Sequence, residues 1–219
     1  MSDVDAPRGR TRPVVETCRG VTLGDAARGL LREGIAAGPY VESLIGAGEL
    51  PDGVKVMARL LTKREAVWWA CRCAREAADP APGARAGAAI GAAERWVVEQ
   101  DEEARRAAMP AAEAAGLGTP AGCAAAAAFW SGGSLGPPEI APIPPGEHLT
   151  ARGVEGAVLI AVIQIGPERA DRTYRRFLAW GFEVADGVNR WNEPEAAAIP
   201  QPVGRVAPRR APRVPDSWE

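Results

Sequence analysis

Between Lys63 and Ala78, apolar and charged side chains recur with the 3.6-residue period of an amphipathic helix. Trp69, Cys73, Ala66, Ala77, Ala70, Ala74, Val67, Ala78 and Cys71 fall on one broad arc, and Arg64, Glu65, Arg72, Arg75 and Glu76 fill the other. Alanine occupies the centre of the apolar arc, which lets a partner helix approach closely, while Trp69 at the rim supplies bulk. The start is marked by Thr62-Lys63-Arg64-Glu65, a capping box in which Thr62 caps the helix and Glu65 reaches back to its backbone. Asp79-Pro80 ends it, because proline disfavours helical backbone at the residue before it.

The same reading predicts helices along most of the chain. Thr22 is positioned to cap Leu23 to Arg32 ahead of the stop Gly34; Pro39 opens a helix to Ala47 with Gly48 past its end; Pro51 and Asp52 open one through Leu61. Gly83 to Gln100 carries Gly83, Gly87 and Gly91 on one face, a small-residue groove suited to a close neighbour. Asp101 caps the next, with Glu102 and Glu103 at its positive end, Gly116 as its stop and Pro110 predicting a kink or break inside it. Thr119-Pro120 begins a helix through Trp130, Thr150 caps Ala151 to Ile165, and Pro167 starts the last one, ending near Gly187. No stretch alternates like a strand. The prediction is an all-α fold of about nine helices, an irregular bundle or a stacked helix-hairpin array. A flexible segment, residues 1–20, precedes a single domain, residues 21–187, and a disordered Pro- and Arg-rich tail, residues 188–219, follows it. A Gly- and Pro-rich connector, residues 131–149, interrupts the domain, and its open readings are a packed surface loop, a binding loop or a linker.

Composition narrows the picture. The chain has 219 residues with a net charge of -2, so no overall positive field gathers nucleic acid, which makes it an unlikely partner. Alanine is about a fifth of the residues, seven are Trp, only Lys55 and Lys63 are lysines, and His148 is the one histidine. Trp69, Trp96, Trp130 and Trp180 are expected in the core, whereas Trp191 and Trp218 fall in the tail. Cys18, Cys71, Cys73 and Cys123 have no zinc or redox spacing; Cys71 and Cys73 lie roughly 200° apart around a helix and cannot clamp one metal. They read as small buried hydrophobes in a reducing compartment. The N-terminus lacks the apolar core of a signal peptide, and no apolar run reaches the ~18 residues of a membrane span, so the expected address is the cytoplasm, with no membrane insertion.

Candidate chemistry is sparse. Gly132-Gly133-Ser134-Leu135-Gly136 has the form of a nucleophile elbow, but a helix precedes it and Pro137-Pro138 follows, where an elbow needs a strand and a helix. Ser134 with His148 is the only plausible catalytic pair. Gly116-Leu117-Gly118-Thr119-Pro120-Ala121-Gly122 follows a helix and lacks a lysine, so it reads as a helix stop and cap rather than a phosphate loop. The acidic run Glu99 to Glu103 reads as a solvated helix start, and neither a metal nor a cofactor is implied. Trp68 departs from its helix pattern: it projects into the charged arc between Arg64 and Arg72. Two readings stay open there, cover by another element or an exposed Trp–Arg patch of the kind enriched at binding hot spots. Arg64, Trp68 and Arg72 are therefore candidate partner-binding residues. Trp218 joins them, in a tail whose Arg209-Arg210-Ala211-Pro212-Arg213-Val214-Pro215 run favours polyproline II and suits a docking peptide.

Four strings carry a family resemblance: Glu65-Ala66-Val67-Trp68-Trp69-Ala70-Cys71, Ala112-Glu113-Ala114-Ala115-Gly116-Leu117-Gly118-Thr119-Pro120-Ala121-Gly122, Phe129-Trp130-Ser131-Gly132-Gly133-Ser134-Leu135 and Leu149-Thr150-Ala151-Arg152. From Leu30 to Gly187 the chain resembles an uncharacterised bacterial all-helical family, labelled a domain of unknown function, that tends to occur in bacteria encoding type VI secretion clusters. The resemblance supplies no catalytic residues. It implies a secretion-apparatus component as the protein partner. The resulting expectation is a non-enzymatic cytoplasmic interaction module, an adaptor or accessory of a secretion system. The alternatives are a hydrolase-like enzyme with its site at residues 131–148 and a weak nucleic-acid binder using the arginine faces.

Overall fold

The computed structural model describes residues 9–78 and 84–191. Among them are ten α-helices and no strand: α1 (Val14–Thr17), α2 (Asp25–Gly29), α3 (Ala37–Ala47), α4 (Leu50–Leu60), α5 (Lys63–Ala77), α6 (Ala84–Glu99), α7 (Glu102–Ala115), α8 (Pro120–Phe129), α9 (Leu149–Ile165) and α10 (Ala170–Ala185). The fold is all-α. Short 3-10 turns at Gly9–Thr11 and Pro167–Arg169 complete it, and one antiparallel bridge joins Pro13 to Ala36.

The local start and stop signals act where expected. Thr62 accepts from the Glu65 amide while Glu65 accepts from the Thr62 amide, the reciprocal capping box of α5. Asp101 and Thr119 accept from the Ala104 and Gly122 amides and so cap α7 and α8. Gly48 closes α3 in the left-handed conformation at φ 80°. Two caps differ from the expectation. Gly24, not Thr22, precedes α2, and its amide donates 2.9 Å to the buried Asp52 carboxylate on α4, so a tertiary contact replaces the local one. Thr150 sits inside α9, where its hydroxyl donates 2.9 Å to the Trp130 carbonyl and ties that helix to the end of α8. Pro110 does not break α7, which runs unbroken from Glu102 to Ala115 along α6 and α8. Tertiary packing offsets the one backbone hydrogen bond a proline removes.

The core forms around α8, a ten-residue Ala- and Gly-rich helix in which every residue but Cys123 is buried. It packs against α5, α6, α7 and α9, and α9 extends the core to α4 and α10. Small residues set the spacing. A Cβ added at Gly153 of α9 would lie 2.9 Å from the Ala127 Cβ and 3.2 Å from the Cys123 carbonyl oxygen; one at Gly122 would lie 2.1 Å from the Gly116 carbonyl oxygen. Gly87 and Gly91, by contrast, have open space above them, so the expected close-approach groove on α6 is unused; Gly83 lies outside the described residues.

Bulk and polar ties enter from the flanks. Trp69 is fully buried, and its indole N–H donates 2.8 Å to the Phe177 carbonyl, joining α5 to α10. Buried Tyr40 donates 2.7 Å to the Ala27 carbonyl and joins α3 to α2. Of the expected N-terminal segment, residues 9–20 pack on this body, and residues 1–8 lie outside the described part. Val14 is 1% exposed, and Arg10 bridges Glu42 and Asp186 at 2.6 and 2.8 Å. Of the expected tail, Val188 donates to the Glu183 carbonyl of α10 and Trp191 meets Trp68 of α5, while residues 192–219 lie outside the described part. No single described helix is long and apolar enough to cross a membrane; α9 with residues 167–185 passes by composition, but as a pair bent by 106°.

The glycines separate by experiment. Gly153→Ala should lower stability by about 1–3 kcal/mol through overpacking, whereas Gly87→Ala should raise it by roughly 0.5–1 kcal/mol through helix propensity. Denaturant midpoints of the two variants should therefore move in opposite directions.

Candidate functional site

The Trp–Arg cluster on α5 is an internal joint. Trp68 is 6% exposed, and the ring of Trp191 meets it edge-on at 6.1 Å between centroids. Arg64 lies 4.6 Å over the Trp191 ring and donates 2.7 Å to the Val97 carbonyl; Arg72 lies 4.8 Å over Trp180 and pairs with Glu183 at 3.1 Å. The arginines thus stack on Trp191 and Trp180, not on Trp68. Of the two readings open for Trp68, cover by another element is the one found, with Arg64 and Arg72 half-buried beside it, and Trp191, expected in the tail, packs against the core. The physical reason is that Trp68 leaves α5 on its charged side, and the chain returning from α10 covers the ring. Trp218, the fourth candidate, lies outside the described residues.

Arg105, which follows the acidic run read as a solvated helix start, is 3% exposed. Its guanidinium pairs with Glu102 at 2.6 Å, stacks 4.7 Å over the Phe129 ring, and donates to the carbonyls of Phe129 and, at 3.0 Å, Ser134. Arg106 donates 3.0 Å to the Gly136 carbonyl. Two arginines of α7 therefore hold the root of the connector. Gly133, at φ 61°, is required there, because a Cβ would lie 2.8 Å from the guanidinium. The Ser134 hydroxyl accepts from the amides of Gly136 and Ile143, both at 3.1 Å, and Leu135 donates 2.8 Å to the Ile143 carbonyl. Within the loop that this base closes the segment exposes Ile140, and at the base itself the side chain of Ile143, each 49% accessible. The connector is thus ordered packing at its root and an apolar tip beyond it. The rest of the acidic run is spoken for: Arg95 pairs with Glu99 and Glu103 at 2.7 and 3.0 Å, and no described group of acidic, His or Cys side chains could hold a metal.

A cleft of about 450 Å³ opens where α4, α9 and the turn at residues 20–22 meet. Lys55 and Arg59, one turn apart on α4, face Arg152, Glu155 and Leu159 of α9 across it. Lys55 is held by Asp52 at 2.7 Å and by the Thr22 carbonyl at 3.0 Å. Arg59 donates to the Arg19 and Gly20 carbonyls at 3.0 and 3.5 Å. Burial and then the neighbouring Arg152 lower the pKa of Arg59, with Glu155 acting in the opposite sense between them. Burial raises the Glu155 carboxyl above its ordinary range, against the pull of Lys55, Arg59 and Arg152. On the far side of Arg59 a second cleft of about 250 Å³ is lined by Lys63, Glu147 and His148 among others. Ser134 lines neither of these two clefts, and its hydroxyl accepts from the connector's own amides. Sequence reasoning missed the Arg59 cleft. The available signal was that both lysines and the lone histidine line these two clefts.

Cys71 and Cys73 are buried as expected, whereas Cys18 and Cys123 are only half-buried. Burial pushes the Cys18 thiol up to about 11 and raises Cys71, Cys73 and Cys123 as well, so the nucleophilic thiolate is disfavoured at neutral pH.

These features define an all-α protein with a pinned, apolar-tipped connector and a cationic cleft between two core helices. Residues 40–185 match the model of a family of unknown function, DUF6931, and the chain belongs to that family. The match includes the connector and both helices of the cleft, but not the turn at residues 20–22. Comparison with curated proteins and with solved structures found no match.

Two outcomes follow for these side chains. Trp68→Ala should cost about 3–5 kcal/mol, as for other buried large-to-small changes, measured by chemical denaturation. Arg105→Met leaves the Phe129 and Ser134 carbonyls without their donor and should cost about 2–4 kcal/mol, with faster proteolysis at residues 131–148. Acid should act in the same way. Hydrogen bonding from Arg105 holds the Glu102 carboxyl below its ordinary range, with Arg106 assisting against a burial effect. The unfolded chain therefore takes up the proton first, and this contribution is complete above the ordinary glutamate range. It is lost as the pH falls through the depressed native value, so connector cleavage should rise in that acidic window.

Proposed function

We propose that the protein is a non-enzymatic protein-interaction module whose contact element is the tip of the connector. The observation that carries this reading is the pairing of a fixed root with an exposed apolar end: Arg105, Arg106 and Ser134 hold the backbone, and Ile140 and Ile143 are each about half accessible. Pro137, Pro138, Pro142, Pro144 and Pro145 flank them, which restricts the backbone further. A segment ordered in advance loses less conformational entropy on binding, so a small apolar contact retains more of its gain. Exposed isoleucines on an ordered loop also suit a partner better than they suit water. The resemblance to a family that tends to occur in bacteria encoding type VI secretion clusters makes a cytoplasmic secretion-apparatus component the first partner to test, with this chain as adaptor or accessory.

The test places a photo-cross-linking residue at position 140 of the full chain and, as a control, at Val98, an exposed apolar residue of α6. A specific partner should cross-link from 140 and not from 98. The double variant Ile140→Ser, Ile143→Ser should keep the wild-type Tm and lose about tenfold or more in affinity for that partner. Undiminished affinity in the double variant would reject the connector as the contact element.

A further inference from the structure

The cleft between α4 and α9 contains cations that the protein does not neutralise by direct ion pairing. Lys55 is matched by Asp52 at 2.7 Å. Arg59 is different: its acceptors among the described residues are two backbone carbonyls, and two hydrogen bonds leave other donors of the five-donor guanidinium unused. Arg152 is exposed and makes no side-chain hydrogen bond or ion pair among the described residues. The two guanidiniums are close enough for each to feel the other's charge, an arrangement that raises the free energy of the empty cleft. Glu155 faces Lys55, Arg59, Arg152 and Asp52, yet stands in direct ion-pair contact with none of them. Val21 of the turn and Leu159 of α9 add apolar lining.

An anion between the two arginines would remove their repulsion and accept their unused donors. Guanidinium forks match the oxygen spacing of both carboxylate and phosphate groups. A cleft of about 450 Å³ lies within the size range of small-molecule sites and exceeds what a bare inorganic ion fills. With Lys55 and Asp52 cancelling, Arg59, Arg152 and an ionised Glu155 leave the cleft with net positive charge, which attracts an anionic head group. We propose that this cleft binds a small organic anion, a carboxylate or phosphate monoester, with its charged head between Arg59 and Arg152 and its apolar body against Val21 and Leu159. The site is independent of the connector and stands whether or not the connector binds a protein.

The experiment is calorimetric titration of the full chain at pH 8 and low salt with benzoate, phenyl phosphate and, as the uncharged analogue, benzyl alcohol. At least one of the two anions should bind, benzyl alcohol should not, and the preferred anion identifies the head group. Arg152→Gln should weaken that anion by about tenfold, since a charge-assisted hydrogen bond is lost, with Tm unchanged because the side chain supports nothing in the fold. Glu155→Gln should tighten it by roughly fivefold through loss of a nearby negative charge. A merely structural role for Glu155 would not increase affinity. Absence of binding by both anions, equal binding of the alcohol, or an unchanged affinity in Arg152→Gln would each overturn the proposal.

Discussion

The approach of α8 to α9 through Ala127 and Gly153 sets the scale of the whole molecule. With a Cβ at Gly153 only 2.9 Å from its neighbour, the two helices have no room for a larger side chain at their crossing. An alanine helix gains little per residue from burial, since each methyl offers about 0.8 kcal/mol of transfer free energy. Its contribution comes from bringing backbones close, so that four other helices can surround it at short range. Trp69, Tyr40, Phe177 and Met57 are all fully buried and fill the wider gaps toward α3, α4 and α10. The molecule thus combines a narrow alanine centre with a bulky aromatic and aliphatic flank.

Side chains that reach distant backbone atoms fix what the helices leave irregular. Asp52 receives the Gly24 amide at the start of α2, Trp69 donates to Phe177, Arg105 donates to Phe129 and Ser134, and Thr150 donates to Trp130. Each of these joins segments at least 20 residues apart and satisfies a polar group that would otherwise be costly to bury. Such bonds explain how a Gly- and Pro-rich connector of this length stays ordered at its root. They also explain why α2, only five residues long, is retained.

Both surfaces described above depend on where α9 begins. Thr150 and its link to Trp130 anchor the end of the connector, and two residues later Arg152 enters the cleft opposite Arg59. The helix whose closest contact is with α8 therefore presents its first turn to the connector and the next turns to the cleft. DUF6931 membership spans this arrangement, since the matched residues run from α3 to the end of α10.

Sequence alone determined what is local: the capping box at Thr62 and Glu65, the caps at Asp101 and Thr119, the stops at Gly48 and Gly116, and an all-α architecture. These depend on residues within one turn of each other, so a linear reading contains the needed information. It also identified Cys71, Cys73 and Trp69 as core, because helical period alone assigns a face. Tertiary structure decided which glycines matter: Gly87 and Gly91 have the pattern of a packing groove but face open space, while Gly122 and Gly153 meet a neighbour. It decided that Trp68 is covered by Trp191, a residue more than a hundred positions away, and that Arg105 turns inward. Period tells which residues share a face; it does not tell what that face meets. That is why the arginines of the α4–α9 cleft, drawn together from two helices far apart in the chain, were visible only once the chain had folded.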